Sequence, residues 1–243
     1  RSIMARFSIL LLLVAITYVH TSEGRSFEEL FRQVWEEANY DKLTLVYTWG
    51  PTFCKKTGCT IPNTAQKIWT IHGLWPFQSN KKGSPINCPG TYVSSAIYSI
   101  QTALNKKWPN YQTGGTNEEF WKHEYIKHGT CASDLTAFNS QLKYFQGTMD
   151  LYDKYDIKTI LANGKNAVRP SSTLHYPLSY ITSALKKGLG VDPCVYCYEK
   201  KTEQYLSEVR LCFDRTCKLI TCGGALVGGG RCNPLKKVNY LPF

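Results

Sequence analysis

Ten cysteines fall between Cys54 and Cys232, and none precedes them. In an exported chain, an even set of this size fits a disulfide framework better than a set of metal ligands. The start of the chain supports export. Met4–Gly24, "MARFSILLLLVAITYVHTSEG", has a lone Arg6, an apolar run from Phe7 to Val19, then small and polar residues. The run is shorter than the roughly 20 apolar residues of a spanning helix, so residues 1–24 are expected to be a secretory signal peptide, not a membrane anchor. Arg1–Ile3, ahead of Met4, are expected to be a translation artefact. Residues 25–243 then form one domain of about 220 residues, long enough for a sizeable core. The expected location is extracellular, with the lysosomal or endosomal lumen as the alternative, because a leader serves both routes.

No internal repeat or linker divides the chain. Ser26–Glu37 reads as a short amphipathic helix. "LTLVYTWG" (Leu43–Gly50) and "KIWTIHGLWP" (Lys67–Pro76) are rich in β-branched and aromatic residues and read as strands. Ser94–Lys107, Phe138–Tyr155 and Leu178–Lys187 read as helices, and "YLSEVRLCFD" with "CKLITC" as a strand pair. Helices and strands mix without regular βαβ alternation, which points to α+β. "CGGALVGGGRC" lacks the Lys-Ser/Thr of a phosphate loop and reads as a disulfide-tied surface loop. With 29 Lys and Arg against 18 Asp and Glu, the net charge is +11. That favours encounter with polyanions without choosing among nucleic acid, anionic glycans and membranes.

The densest chemistry lies in Phe120–Cys131, "FWKHEYIKHGTC". Thr116 followed by Glu119 fits a capping box, and Gly129 suits a left-handed helix stop, so the stretch is expected to be helical. Residues four apart lie within about 40° of each other, which places Phe120, Glu124 and His128 in one row with Lys127 beside it. Zinc proteases carry H-E-x-x-H. Here His123 and His128 are five apart, separated by about 140° around the helix, and the second ligand position is Lys127. A metalloprotease is therefore disfavoured. A carboxylate, an imidazole and a cation in one row suit a phosphate: the imidazole exchanges a proton near neutrality, and the cation neutralises phosphoryl oxygens.

A second histidine, His72, lies in "WTIHGLWP" between Trp69 and Trp75. His20 falls in the leader, and His175 has no assigned role. Together, "WTIHGLWP" and "FWKHEYIKHGTC" resemble the two active-site segments of the ribonuclease T2 family, in the same order. The likeness extends through "KKWPNY", "SSTLHYPLSYITSAL" and the cysteine-rich end, across essentially the whole mature chain. The resemblance implies an α+β fold with a largely antiparallel central sheet flanked by helices and stabilised by disulfides. It also implies endoribonuclease action on single-stranded RNA without metal or cofactor. The 2′-hydroxyl attacks the adjacent phosphorus, one imidazole takes its proton, and a second protonates the leaving 5′-oxygen, giving a 2′,3′-cyclic phosphate and then a 3′-phosphate end.

By motif, His72 and His128 become the acid–base pair and Glu124 the third catalytic group. Lys127 and His123 become phosphate-binding residues, and Trp75 and Phe120 platforms for bases. Which imidazole is base stays open, the family favouring His128. An acidic pH optimum and a monomer are expected. Phe77 stands where the family commonly has Asp or Asn, and Thr48 where it often has Gln, so base preference is open. The resemblance pairs Cys54–Cys59, Cys88–Cys131, Cys194–Cys232 and Cys212–Cys222, leaving Cys197–Cys217. Two other classes compete: a cationic binding protein that has kept only the fold, and a metal-dependent phosphoesterase. The first should have lost His72, Glu124 or His128, and the second needs a carboxylate cluster that the sequence lacks.

Overall fold

This is a computed structural model, and it describes residues 40–61, 65–79, 84–223 and 230–243. The expected leader, the helix expected at Ser26–Glu37 and most of the glycine-rich loop lie outside the described residues. Tyr40–Phe243 cluster as one unit. Its elements begin with β1 (Lys42–Thr48), α1 (Gly50–Thr57) and β2 (Thr70–Phe77). A 3₁₀ turn (Ser94–Ile100) then runs into α2 (Gln101–Lys107), followed by α3 (Asn117–Lys127) and a second 3₁₀ turn (Gly129–Ala132). Next come α4 (Gln141–Asp153), α5 (Ile157–Ala162), β3 (His175–Tyr176) and α6 (Leu178–Leu189). The chain closes with β4 (Cys194–Lys200), β5 (Glu203–Asp214), β6 (Leu219–Ile220) and β7 (Val238–Asn239).

The strands form one sheet in the order β2-β1-β5-β7-β3, with β4 and β6 also pairing to β5. Every pairing is antiparallel except β5 with β7, so the sheet is mixed rather than purely antiparallel. Strand alternation divides β1 between two faces. Leu43, Leu45 and Tyr47 enter the main core, while Thr44, Val46 and Thr48 share the opposite face. β2 is an edge strand, and its outer carbonyls are occupied by side chains. Trp108 Nε1–H donates to the His72 carbonyl at 2.8 Å, Tyr144 Oη–H to Leu74 at 3.0 Å, and Tyr152 Oη–H to the Trp69 carbonyl at 2.6 Å. These bonds satisfy an edge that would otherwise recruit another strand, and they lock the His72 strand to the helical layer.

The local signals explain the helix boundaries. Ser140 Oγ accepts from Lys143 N–H at 3.2 Å and caps α4, which starts at Gln141, three residues after the expected Phe138. α6 ends on Gly190, whose φ of 76° is in the left-handed region. The helix expected over Ser94–Lys107 is split, 3₁₀ through Ile100 and α only from Gln101. α1, α5 and β4 were not anticipated.

The cysteine framework differs from the expected one. Cys54–Cys59, Cys88–Cys131 and Cys212–Cys222 are bonded, but Cys232 pairs with Cys197, not Cys194. The expected Cys194–Cys232 and Cys197–Cys217 bonds are absent, and Cys194 and Cys217 are unpaired. Alternation along β4 is the reason. Val195 and Cys197 face the main core with Cys232, whereas Cys194 and Tyr196 face a smaller cluster with Phe77 and the Cys212–Cys222 bridge.

Candidate active site

α3 carries the charged row. Thr116 Oγ1 accepts from Glu119 N–H at 3.1 Å, and the Glu119 carboxylate accepts from Thr116 N–H at 2.7 Å, closing the expected capping box. The helix faces water with His123 and buries Glu124. It ends earlier than expected. His128 leaves the helical region with φ −124° and ψ −45°, and the backbone turns 3₁₀ at Gly129 instead of stopping there in a left-handed conformation. Gly129 is required for another reason: a Cβ there would lie 2.6 Å from the Tyr125 ring and 3.0 Å from Tyr144. The Cys88–Cys131 disulfide and a bond from Asn87 N–H to the Lys127 carbonyl at 2.9 Å pin this corner.

His72 arrives from β2 through a β-bulge. Val46 pairs with Gly73 and Tyr47 with Ile71, so His72 is the extra residue. A bulge re-aims a side chain. Here it brings His72 onto the same cleft as Trp75. The His72 Nε2 lies 3.9 Å from Glu124 Oε1, and its ring is 5.9 Å from Phe120 and 5.0 Å from Trp75. Trp75 binds the two halves together. Its Nε1–H donates to Glu124 Oε2 at 2.8 Å, and its ring stacks on His128 at 5.0 Å. One face of Trp75 is thus already occupied.

The two histidines live in opposite environments. Burial presses the His128 imidazole down to about 3, and the charges of Lys127, His72 and His123 push the same way. Its Nδ1 is buried without a hydrogen-bond partner among the described residues. Burial pulls His72 down as well, but the hydrogen bond that its Nδ1–H donates to Glu208 and the charges of Glu124 and Glu208 outweigh it and raise the pKa. Burial also raises the Glu124 carboxyl, against the lowering pull of His72, the Trp75 hydrogen bond, His123 and Lys127. The site therefore favours a protonated imidazole at His72 and a neutral one at His128.

Of the seven residues expected from the sequence, His72, Trp75, Phe120, His123, Glu124 and His128 are linked by the contacts above, whereas Lys127 lines a separate hollow with Asn87, Lys122 and Ile126. Lys127 acts by charge on Glu124 and His128, and His123 Nε2 is 4.0 Å from Glu124 Oε1. Two further residues were missed. Glu208 of β5 bonds His72 Nδ1 at 3.1 Å, and its other oxygen accepts from Arg210 Nε at 3.0 Å and Nη2 at 2.7 Å. The alternation in "SEVR" places the two on one face, a signal the sequence carries, but nothing in it says that the face belongs to His72. Two cavities flank His72. One of about 370 Å³ is walled by Phe53, Tyr111 and Phe120. The other, of about 450 Å³, is walled by Trp75, Tyr196 and Arg231.

The comparisons agree with this geometry. The model of the Ribonuclease T2 family matches residues 40–222. Ribonuclease Oy of Magallana gigas is 34% identical over 210 residues, covering 84% of this chain and 97% of its own. Ribonuclease T2 of Danio rerio is 34% identical over 186 residues, covering 75% and 73%. Among solved structures, RNase NT in complex with 5′-AMP superposes with a TM-score of 0.73 at 29% identity, covering 84% of this chain and 99% of that one. Human RNase T2 gives 0.68 at 30%, covering 84% and 99%. On motif order, fold and site geometry together, this chain belongs to the ribonuclease T2 family.

Proposed function

We propose that this protein is an endoribonuclease that cleaves single-stranded RNA by metal-independent transphosphorylation, through 2′,3′-cyclic phosphates to 3′-phosphate ends. The observation that carries this is the unequal environment of two imidazoles across one cleft. His128, kept neutral by burial, takes the 2′-hydroxyl proton. His72, kept protonated by two carboxylates, delivers a proton to the leaving 5′-oxygen. This choice of base and acid follows from the carboxylates, since both lie beside His72. Glu124, buried with its pKa raised by burial, accepts from Trp75 Nε1–H and lends its charge to His72, so it orients the site between the two histidines. Lys127 and His123 supply positive charge to the phosphate.

The cavities on either side of His72 suit the two nucleotides that flank a scissile phosphate. Phe120 offers a ring in the first. Trp75 lines the second while propping His128 and Glu124. Phe77 is buried in the cluster around Cys212–Cys222 and offers no polar group, which favours relaxed base preference at that side. The protein acts as a secreted monomer, and no helix among the described residues is long and apolar enough to cross a membrane. The test is digestion of total RNA at about pH 5 in EDTA, with products resolved for cyclic phosphates. Cyclic products from wild type, reduced by about 10²- to 10⁴-fold in His72→Ala and His128→Ala, are expected. Loss of wild-type cleavage in EDTA would overturn the metal-free mechanism, and no cleavage by correctly oxidised protein would overturn the enzyme.

A further inference from the structure

We propose that Glu208 is the positioning residue of His72, and that Arg210 acts through it to hold the imidazole in the orientation and tautomer that present Nε2 to the substrate. This rests on the assignment of His72 as general acid. An imidazole on a bulged edge strand has rotational freedom unless something grips its second nitrogen. Glu208 Oε1 grips Nδ1 at 3.1 Å, which makes Nδ1 the bonded nitrogen and turns Nε2 toward Glu124 and the cleft. Glu208 is itself fixed. Arg210 meets its Oε2 twice, and the guanidinium lies 3.9 Å over the Tyr196 ring and 5.2 Å from the Trp75 ring centroid.

The backbone supports the same purpose. Tyr196 pairs with Glu208 and Cys197 with Leu206, so Ser207 is an extra residue in β5. Glu208 and His72 thus stand beside bulges on strands separated by β1, and each bulge adjusts the reach of one partner. The charged and titratable groups facing His72 are Glu208 and Arg210 from β5, Glu124, His123 and Lys127 from α3, His128 beyond it, and Lys56 of α1 along the same groove. Glu208 is the carboxylate that touches the imidazole directly. Against the upward push of burial, His72 itself and then Arg210 hold Glu208 down to about 2, so it remains an acceptor in acid.

Glu208→Gln keeps the shape and removes the charge. The alkaline limb of its kcat profile, which reports the acid's deprotonation, should move to lower pH. Its kcat should fall by about tenfold to a hundredfold, part of what a general acid contributes, with KM nearly unchanged. A Glu208→Gln, Arg210→Met double variant removes both charges together, avoids a stranded guanidinium, and should show the same limb displacement. A purely structural ion pair would lower the melting temperature and leave the profile of the folded fraction in place. That result in either folded variant overturns the inference while leaving the proposed function intact. Wild-type protein that forms no cyclic product would instead overturn the proposed function, and this inference with it.

Discussion

Gly73 follows His72, the proposed general acid, and has no side chain of its own to contribute. A Cβ built there would overlap both Glu124 Oε2 and Trp75 Nε1, the two atoms joined by the 2.8 Å hydrogen bond. For Gly73→Ala, the carboxylate must retreat by more than about 1 Å to reach ordinary contact. A displacement of about 1 Å in a reacting group costs on the order of 10²-fold in rate, equivalent to about 2.7 kcal/mol. Loss of a hydrogen bond to a charged group, about 1.5–3 kcal/mol, gives a similar figure independently. Gly73 is not among the residues with positive φ, so alanine incurs no backbone strain. Relief of glycine's chain entropy returns about 0.5–1 kcal/mol of stability. Activity should therefore fall about 10²-fold, while the lost hydrogen bond less that return lowers stability by about 0.5–2.5 kcal/mol. The assay is kcat/KM on a dinucleotide with release of the cyclic phosphate, beside a thermal melt. A variant within about twofold of wild type would refute the Glu124–Trp75 bond as part of the active arrangement.

Three further outcomes are expected. Stability should decline as pH falls, because His128 has a folded pKa of about 3 against an ordinary 6.5. Its contribution is complete above the unfolded value and drains away between the two. Glu208, held near 2 although burial alone would raise it, acts in the same sense below 4.5. His72, with its pKa raised, contributes fully below its unfolded value and loses that contribution as pH climbs through the folded one. Melting temperatures from neutrality into acid should fall less steeply in His128→Gln than in wild type, and parallel curves would contradict the buried neutral imidazole. Denatured but unreduced mature protein should react with a thiol reagent at Cys194 and Cys217 only; zero thiols would mean a fifth bridge. Replacing Cys88 and Cys131 together by serine should cost about 4 kcal/mol for a loop with a separation of 43, read by urea denaturation.

The proposed catalytic groups were legible in the sequence because each sits in a short stretch with its own local grammar. The Thr116–Glu119 box announces α3, and four-residue spacing places Phe120 and Glu124 together. His128 was expected in the same row and reaches the cleft by another route, a break in the helix stabilised by stacking on Trp75. What escaped was long-range. Glu208 is 136 residues from His72, and only the order of strands across β1 brings them together. Three expected disulfides form, and the other two, Cys194–Cys232 and Cys197–Cys217, failed for a related reason. Cys194 and Cys197 are three apart on one strand and so face opposite sides of the sheet. Which side holds Cys232 depends on where the chain after the glycine-rich loop returns, and composition carries no trace of that. The parallel β5–β7 pair depends likewise on the path of the C-terminal segment, where Gln204 meets Asn233 and Lys236 through its side chain.

β5 touches more of the sheet than any other strand described, joining β1, β4, β6 and β7 along its twelve residues. A strand held on both sides along its length has no local route to fraying. Its central amides should exchange with solvent deuterium only when the whole domain opens. Glu208 and Arg210 ride on that strand, so the catalytic cleft cannot loosen ahead of the fold. Loss of activity on heating should coincide with global melting, with no earlier inactive but folded stage. Wherever proteases attack whatever opens first, that coincidence ties the enzyme's working life to the rate of complete unfolding.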